Sequence, residues 1–112
     1  MDIGFQSKKF EKICNTQKLL LKEFGEEQSE KIRRRLDELR ATDNLQDISH
    51  LPPPRCHELS GNRKGTFSVD LRHPYRLLFE PAETPIPLKE DGGIDLEQVH
   101  AITILGVEDT HG

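Results

Sequence analysis

The sequence predicts an α+β fold, an N-terminal helical hairpin packed on a small antiparallel β-sheet, in a single domain spanning residues 1–112. Three observations predict it. Apolar residues recur at helical spacing as far as Leu39, alternate with polar ones from Phe67 to Glu80, and form a nearly unbroken run over residues 99–107. A chain with 33% hydrophobic and 32% charged residues suits two thin layers around one modest core.

Ile3 and Phe5 alternate with Asp2 and Gly4, enough for a short edge strand. Ser7 suits the cap of a first helix whose apolar stripe is Phe10, Ile13, Cys14, Leu20, Leu21 and Phe24, with Asn15 and Thr16 a local irregularity. Gly25 ends it, and Glu26 and Glu27 open a second helix at the positive end of its dipole. There Ile32, Leu36 and Leu39 form the buried stripe. Glu27 with Lys31 and Glu30 with Arg34 are i,i+4 pairs on the wet side, so Arg33, Arg34 and Arg35 read as a solvated face. One connecting residue makes the pair an antiparallel helical hairpin. Asp43 or Asn44 suits the cap of a short turn carrying Leu45 and Ile48, and Pro52, Pro53 and Pro54 predict an extended connector.

The central stretch predicts a meander. Phe67, Val69 and Leu71 alternate with Ser68, Asp70 and Arg72, and after His73 and Pro74 the apolar Leu77 and Phe79 alternate with Arg76 and Glu80. Gly61 and Gly65 bracket a polar loop before it. A three-residue hairpin loop, His73 to Tyr75, opposes Leu71 to Leu77, Val69 to Phe79 and Arg72 to Arg76, keeping both faces chemically consistent. It sets two guanidiniums side by side, which like-charge repulsion disfavours unless an anion bridges them. The run at 99–107 suits an interior strand, and its end delivers Asp109 and His111 to one sheet edge.

Net charge is −4, and its distribution matters more than its total. From Pro81 to Gln98 five acids face Lys89 alone, whereas residues 55–76 carry Arg55, Arg63, Lys64, Arg72 and Arg76 against Glu58 and Asp70, a local +3. Residues 81–97 therefore read as an exposed, mobile, acidic loop. No apolar stretch approaches the roughly 20 residues of a membrane span, and the start does not resemble a signal peptide. Cys14 and Cys56 read as reduced thiols in a cytoplasmic protein. Cys56 and His57 are adjacent and no second Cys or His pair exists, so neither metal nor cofactor is expected. His57 beside two arginines, with Asp109 and His111 converging, suits metal-free RNA cleavage. A base takes the proton of a ribose 2′-OH, an acid protonates the leaving 5′-oxygen, and cations stabilise the phosphate charge.

Residues 57–65, from His57 through Gly61 to Gly65, resemble the strand-loop of the HigB branch of RelE/ParE-like toxins. Residues 68–72 and 75–79 resemble the hairpin that follows it, and Glu108, Asp109, Thr110 and His111 its closing signature. Ser60 and Thr110 stand where the branch often carries lysine and tyrosine. The resemblance implies a toxin of a type II toxin–antitoxin pair, a ribosome-dependent mRNA endonuclease whose partners are mRNA on the ribosome and a HigA-like helix-turn-helix antitoxin. It implies His57, Arg76, Asp109 and His111 as catalytic residues, with Arg63, Lys64, Arg72 and Arg76 holding RNA phosphates. The alternatives are a non-catalytic toxin-like binding module and a ParE-like gyrase inhibitor.

Overall fold

A computed structural model describes residues 1–109. Its elements are β1 (Asp2–Phe5), α1 (Lys8–Cys14), α2 (Gln17–Ala41), β2 (His57–Glu58), β3 (Phe67–Asp70), β4 (Tyr75–Pro81) and β5 (Ala101–Asp109). Short 3-10 turns lie at Leu45–Asp47, Gly61–Arg63 and Leu96–Gln98. The α+β class is as expected, and β5 is interior in a sheet ordered β1-β5-β4-β3-β2. The sheet is mixed, however, and not antiparallel throughout: β1 runs parallel to β5, whereas β2–β3, β3–β4 and β4–β5 are antiparallel. Parallel neighbours need a long crossover, which everything between β1 and β5 supplies. The alternation of four residues in β1 reads the same in either direction, so the sequence pattern carried no sign of it.

Ser7 caps α1 as expected, accepting from the Phe10 N–H at 3.1 Å. The helical stretch then breaks at Asn15 and Thr16, and α2 breaks again at Gly25, whose φ of 79° is open to glycine at little cost. Ser29 ties the two arms of α2 together: its buried hydroxyl donates to the Leu20 carbonyl at 2.9 Å. Leu20, Ile32, Leu36 and Leu39 pack against Phe67, Val69, Leu77, Phe79, Ile102 and Ile104 of the sheet. Leu21, assigned to the stripe from sequence, is exposed.

The β3–β4 register differs from the expected one by a two-residue slip. Phe67 faces Phe79, Val69 faces Leu77 and Asp70 faces Arg76. A slip of two keeps every strand side chain on its expected face and changes only its neighbour. Two gains explain the choice: the Phe67 and Phe79 rings stack at 5.8 Å, and Arg76 meets a carboxylate instead of a second guanidinium. Arg72 falls in the turn, where its N–H donates to Gln28 Oε1 at 2.9 Å and its guanidinium lies 3.5 Å from Glu27 on α2. The shared Arg72–Arg76 phosphate clamp is therefore not formed.

In β5 an irregularity re-aims the end of the strand. Ile104 faces Phe79 but Gly106 faces Leu78, so Leu105 is an extra residue and Gly106 takes φ 146°. This one-residue insertion returns Val107 to the core side opposite Leu77 and places Glu108 opposite Arg76. Asp109, opposite Tyr75, falls on the core side and not with Arg76.

Two connectors depart from expectation, the first in its path and the second only in part. The triple-proline segment turns instead of extending, with the Arg55 N–H donating to the Leu51 carbonyl at 3.1 Å. Residues 81–97 are largely exposed, as expected, Ile86 and Leu88 included, but the segment also buries apolar groups: Pro81 is buried, Ile94 and Leu96 pack against the core, and Leu88 bridges Ile94. Glu83 fastens the segment to the sheet by accepting the N–H groups of His100 and Ala101 at 2.6 and 3.2 Å.

Arg35 is the largest departure. It is 2% exposed, and its guanidinium donates to the carbonyls of Asp70 (2.7 Å) and Pro53 (3.2 Å) and to Glu38 (2.9 Å). It joins α2 to the proline turn and to the end of β3. Its neighbour Arg34 makes the expected exposed pair with Glu30. Arg35→Leu should lower unfolding free energy by about 3 kcal/mol, because shielded carbonyls lose their donor. Arg34→Leu should change it by less than about 0.5 kcal/mol. Chemical denaturation of the two variants reads the difference, and equal small losses would contradict the role given to Arg35.

Candidate functional site

The face of the sheet opposite the helices gathers the titratable side chains. Strand alternation and the observed registers put His57 (β2), Ser68 and Asp70 (β3), Arg76 (β4) and Glu108 (β5) on it. Ser68 is fully buried and its hydroxyl has no hydrogen-bond partner among the described residues.

His57 is held at both ring nitrogens. Nδ1 lies 3.2 Å from the Arg55 carbonyl and Nε2 3.3 Å from Arg76 Nη1. A carbonyl can only accept and a guanidinium can only donate, so these contacts assign the proton to Nδ1 and leave the Nε2 lone pair facing Arg76. The ring is a base whose lone pair is already engaged by a cation.

Around that pair runs a chain of ions. Asp70 receives a two-pronged grip from Arg55, Nε to Oδ2 at 2.7 Å and Nη2 to Oδ1 at 3.0 Å, and its Oδ1 is also 3.5 Å from Arg76 Nε. The hydrogen bond to Asp70 holds the Arg55 guanidinium above its ordinary value. Arg55 is the one non-glycine residue among those described with positive φ, at 46°. Farther along, Arg63 makes a bidentate pair with Glu108 at 2.9 and 3.1 Å. That hydrogen bond holds the Glu108 carboxyl below the usual carboxylate range. Arg63 comes from the loop between β2 and β3, which Glu58 closes by accepting the Gly65 N–H at 2.8 Å. To reach β5 it must pass over β3 and β4, where Ser68 and Leu78 are fully buried.

Of the residues expected from sequence, the structure thus brings together His57 and Arg76. Arg63 reaches the same face but is bound to Glu108, while Lys64 is exposed in the neighbouring loop. Arg72 and Asp109 belong to the other side, and His111 lies outside the described residues. Sequence reasoning missed Asp70 and Glu108 as members of the site and Arg55 as a side chain gripping Asp70. Alternation did put Asp70 on the Arg76 face, but Glu108 arrives only through the β5 irregularity, which no residue pattern announced. Burial pushes the Cys56 thiol up to about 12 and the Cys14 thiol to about 11, away from the reactive thiolate form at neutral pH. Among the described residues no group of three or more His, Cys, Asp or Glu is arranged to hold a metal ion.

No family model, curated protein or solved structure matches the chain.

Two predictions test this geometry. Nitrogen-resolved NMR of the His57 ring should show the proton on Nδ1 and a lone pair on Nε2, and the opposite tautomer would contradict the contacts described. Native protein at neutral pH should resist alkylation at both cysteines and react after denaturation. Fast modification of the folded chain would contradict the burial of Cys56 and the partial burial of Cys14.

Proposed function

We propose that this chain is a toxin of a type II toxin–antitoxin pair, related to the HigB branch of the RelE/ParE superfamily. In this reading it acts in the cytoplasm as a ribosome-dependent mRNA endonuclease. The observation that carries the reading is the 3.3 Å contact of His57 Nε2 with Arg76 Nη1. A base and a phosphate-seeking cation on one sheet face are two of the parts that 2′-OH attack requires.

The contact also supplies a sequence of events. In the free protein the Nε2 lone pair accepts from Arg76. A scissile phosphate that draws the guanidinium to its own oxygens releases that lone pair, which can then take the 2′-OH proton. The O2′–P bond forms, the P–O5′ bond breaks, and the 5′-oxygen leaves with a proton from an acid. By the resemblance that acid is His111. Lys64, and Arg63 once freed from Glu108, would hold flanking phosphates from the loop beside the same face. A small helix-turn-helix antitoxin is the partner this reading requires.

One observation favours a second reading, a non-catalytic toxin-like binding module. Arg55, Arg63, Arg72 and Arg76 each have a carboxylate within 3.5 Å, so these cations are partly neutralised before any ligand arrives.

Expression without antitoxin, followed by mapping of the 5′ ends of translated messages, separates the two. The endonuclease reading expects cleavage by the wild type, lowered roughly 10²–10⁴-fold in His57→Ala. Arg76→Ala should also lose cleavage, with only partial recovery in Arg76→Lys because the planar fork is gone. Uncut messages with wild type and His57→Ala alike would leave the binding module.

A further inference from the structure

We propose that Arg55 and Arg76 form a site for phosphoryl oxygens which the protein fills, when free, with its own Asp70 carboxylate. The inference deepens the RNA reading above and rests on it for the source of the phosphate, though not for the site itself.

The geometry is that of a bound anion. Arg55 presents its planar fork, Nε and Nη2, to both Asp70 oxygens at 2.7 and 3.0 Å, and Arg76 Nε approaches Oδ1 from β4 at 3.5 Å. A carboxylate and the two unesterified oxygens of a phosphodiester match the same guanidinium fork. Two guanidiniums converging on one point repel unless an anion sits between them, and Asp70 is the anion supplied. The Asp70 side chain is 28% exposed and that of Arg55 38%, so both reach solvent and a ligand can approach. A small cavity of about 40 Å³ opens there, lined by Arg55, Asp70, His73, Tyr75 and Arg76 among others.

The backbone supports the same assignment. Arg55 holds φ 46°, a conformation uncommon for a residue with a side chain, where the proline turn meets β2. That conformation turns its carbonyl to His57 Nδ1 at 3.2 Å while its guanidinium reaches Asp70. The phosphate grip and the tautomer of the neighbouring base are thus set by one residue. Asp70 in turn opposes the entry of any phosphate by like charge.

Asp70→Asn keeps the shape and removes the charge, and so tests this. Fluorescence anisotropy with a labelled oligouridylate at low salt should show about tenfold tighter binding by Asp70→Asn than by wild type, a change of about 1.4 kcal/mol. Adding Arg55→Gln to that variant should abolish the gain, whereas adding Arg34→Gln, far along α2, should not. The two arginines repel once Asp70 is neutral, so the variant is also followed by its melting temperature. Inorganic phosphate should raise that temperature more in Asp70→Asn than in wild type. Stabilisation by phosphate without tighter RNA binding would assign the site to free phosphate and not to RNA. Absence of both the gain in RNA affinity and the larger stabilisation by phosphate would overturn the proposal and leave Asp70 a structural ion-pair partner. None of these measurements needs cleavage, so an inactive wild type would defeat the endonuclease reading and not this one.

Discussion

The buried guanidinium of Arg35 sets the frame for everything on the far face of the sheet. A cation held in the interior is tolerable only when its donors are used, and each nitrogen of Arg35 has a partner: Asp70 O, Pro53 O and the Glu38 carboxylate. Two of those partners belong to the pieces of chain that build the site. Pro53 lies two residues before Arg55, and Asp70 supplies its backbone carbonyl to Arg35 and its side chain to Arg55. The proline turn is fixed from the other side as well, since Pro54 O accepts the Asp70 N–H at 2.8 Å. The position of Arg55, and through it the orientation of His57, therefore depends on a contact made behind the sheet by a helix.

Parity decides which side chains meet that frame. Ser68, Asp70, Arg76 and His57 share a face because strand residues alternate, and Glu108 joins them because one extra residue in β5 reverses the alternation after Ile104. The result is a row of opposite charges across the strands, Arg55–Asp70–Arg76 and then Arg63–Glu108. Such exposed and half-exposed pairs add little to stability. Their larger effect is to hold cations in place while lowering the net charge that an incoming anion meets.

The sequence was legible where periodicity speaks and silent where single contacts decide. The stripe Ile32, Leu36, Leu39 and the alternation around Val69 and Leu77 gave the class, the core and the faces. The interior place of β5 followed from its apolar run. Register was out of reach of pattern alone: opposing Arg72 or Asp70 to Arg76 satisfies the same parity, and the choice rests on ring stacking and charge. Arg35 looked like its neighbours in a basic run, because nothing in residues 33–35 distinguishes a solvated arginine from one that a distant turn and strand will bury. Leu105 and Gly106 offered no sign that they would form an irregularity, and so Asp109 was expected where Glu108 stands. The direction of β1 was likewise unreadable in four residues.

Under the proposed RNA reading, ligand meets the protein on the β2–β5 face at the His57–Arg76 contact. Backbone chemical-shift mapping during titration with a short single-stranded RNA tests it most directly. Shifts should concentrate at Arg55, His57, Asp70, Arg76 and Glu108 and fade as salt rises. A response centred instead on the broad groove of about 750 Å³ along α2, at Arg33, Arg34 and Glu30, would place the ligand on the helices and contradict a site at His57 and Arg76.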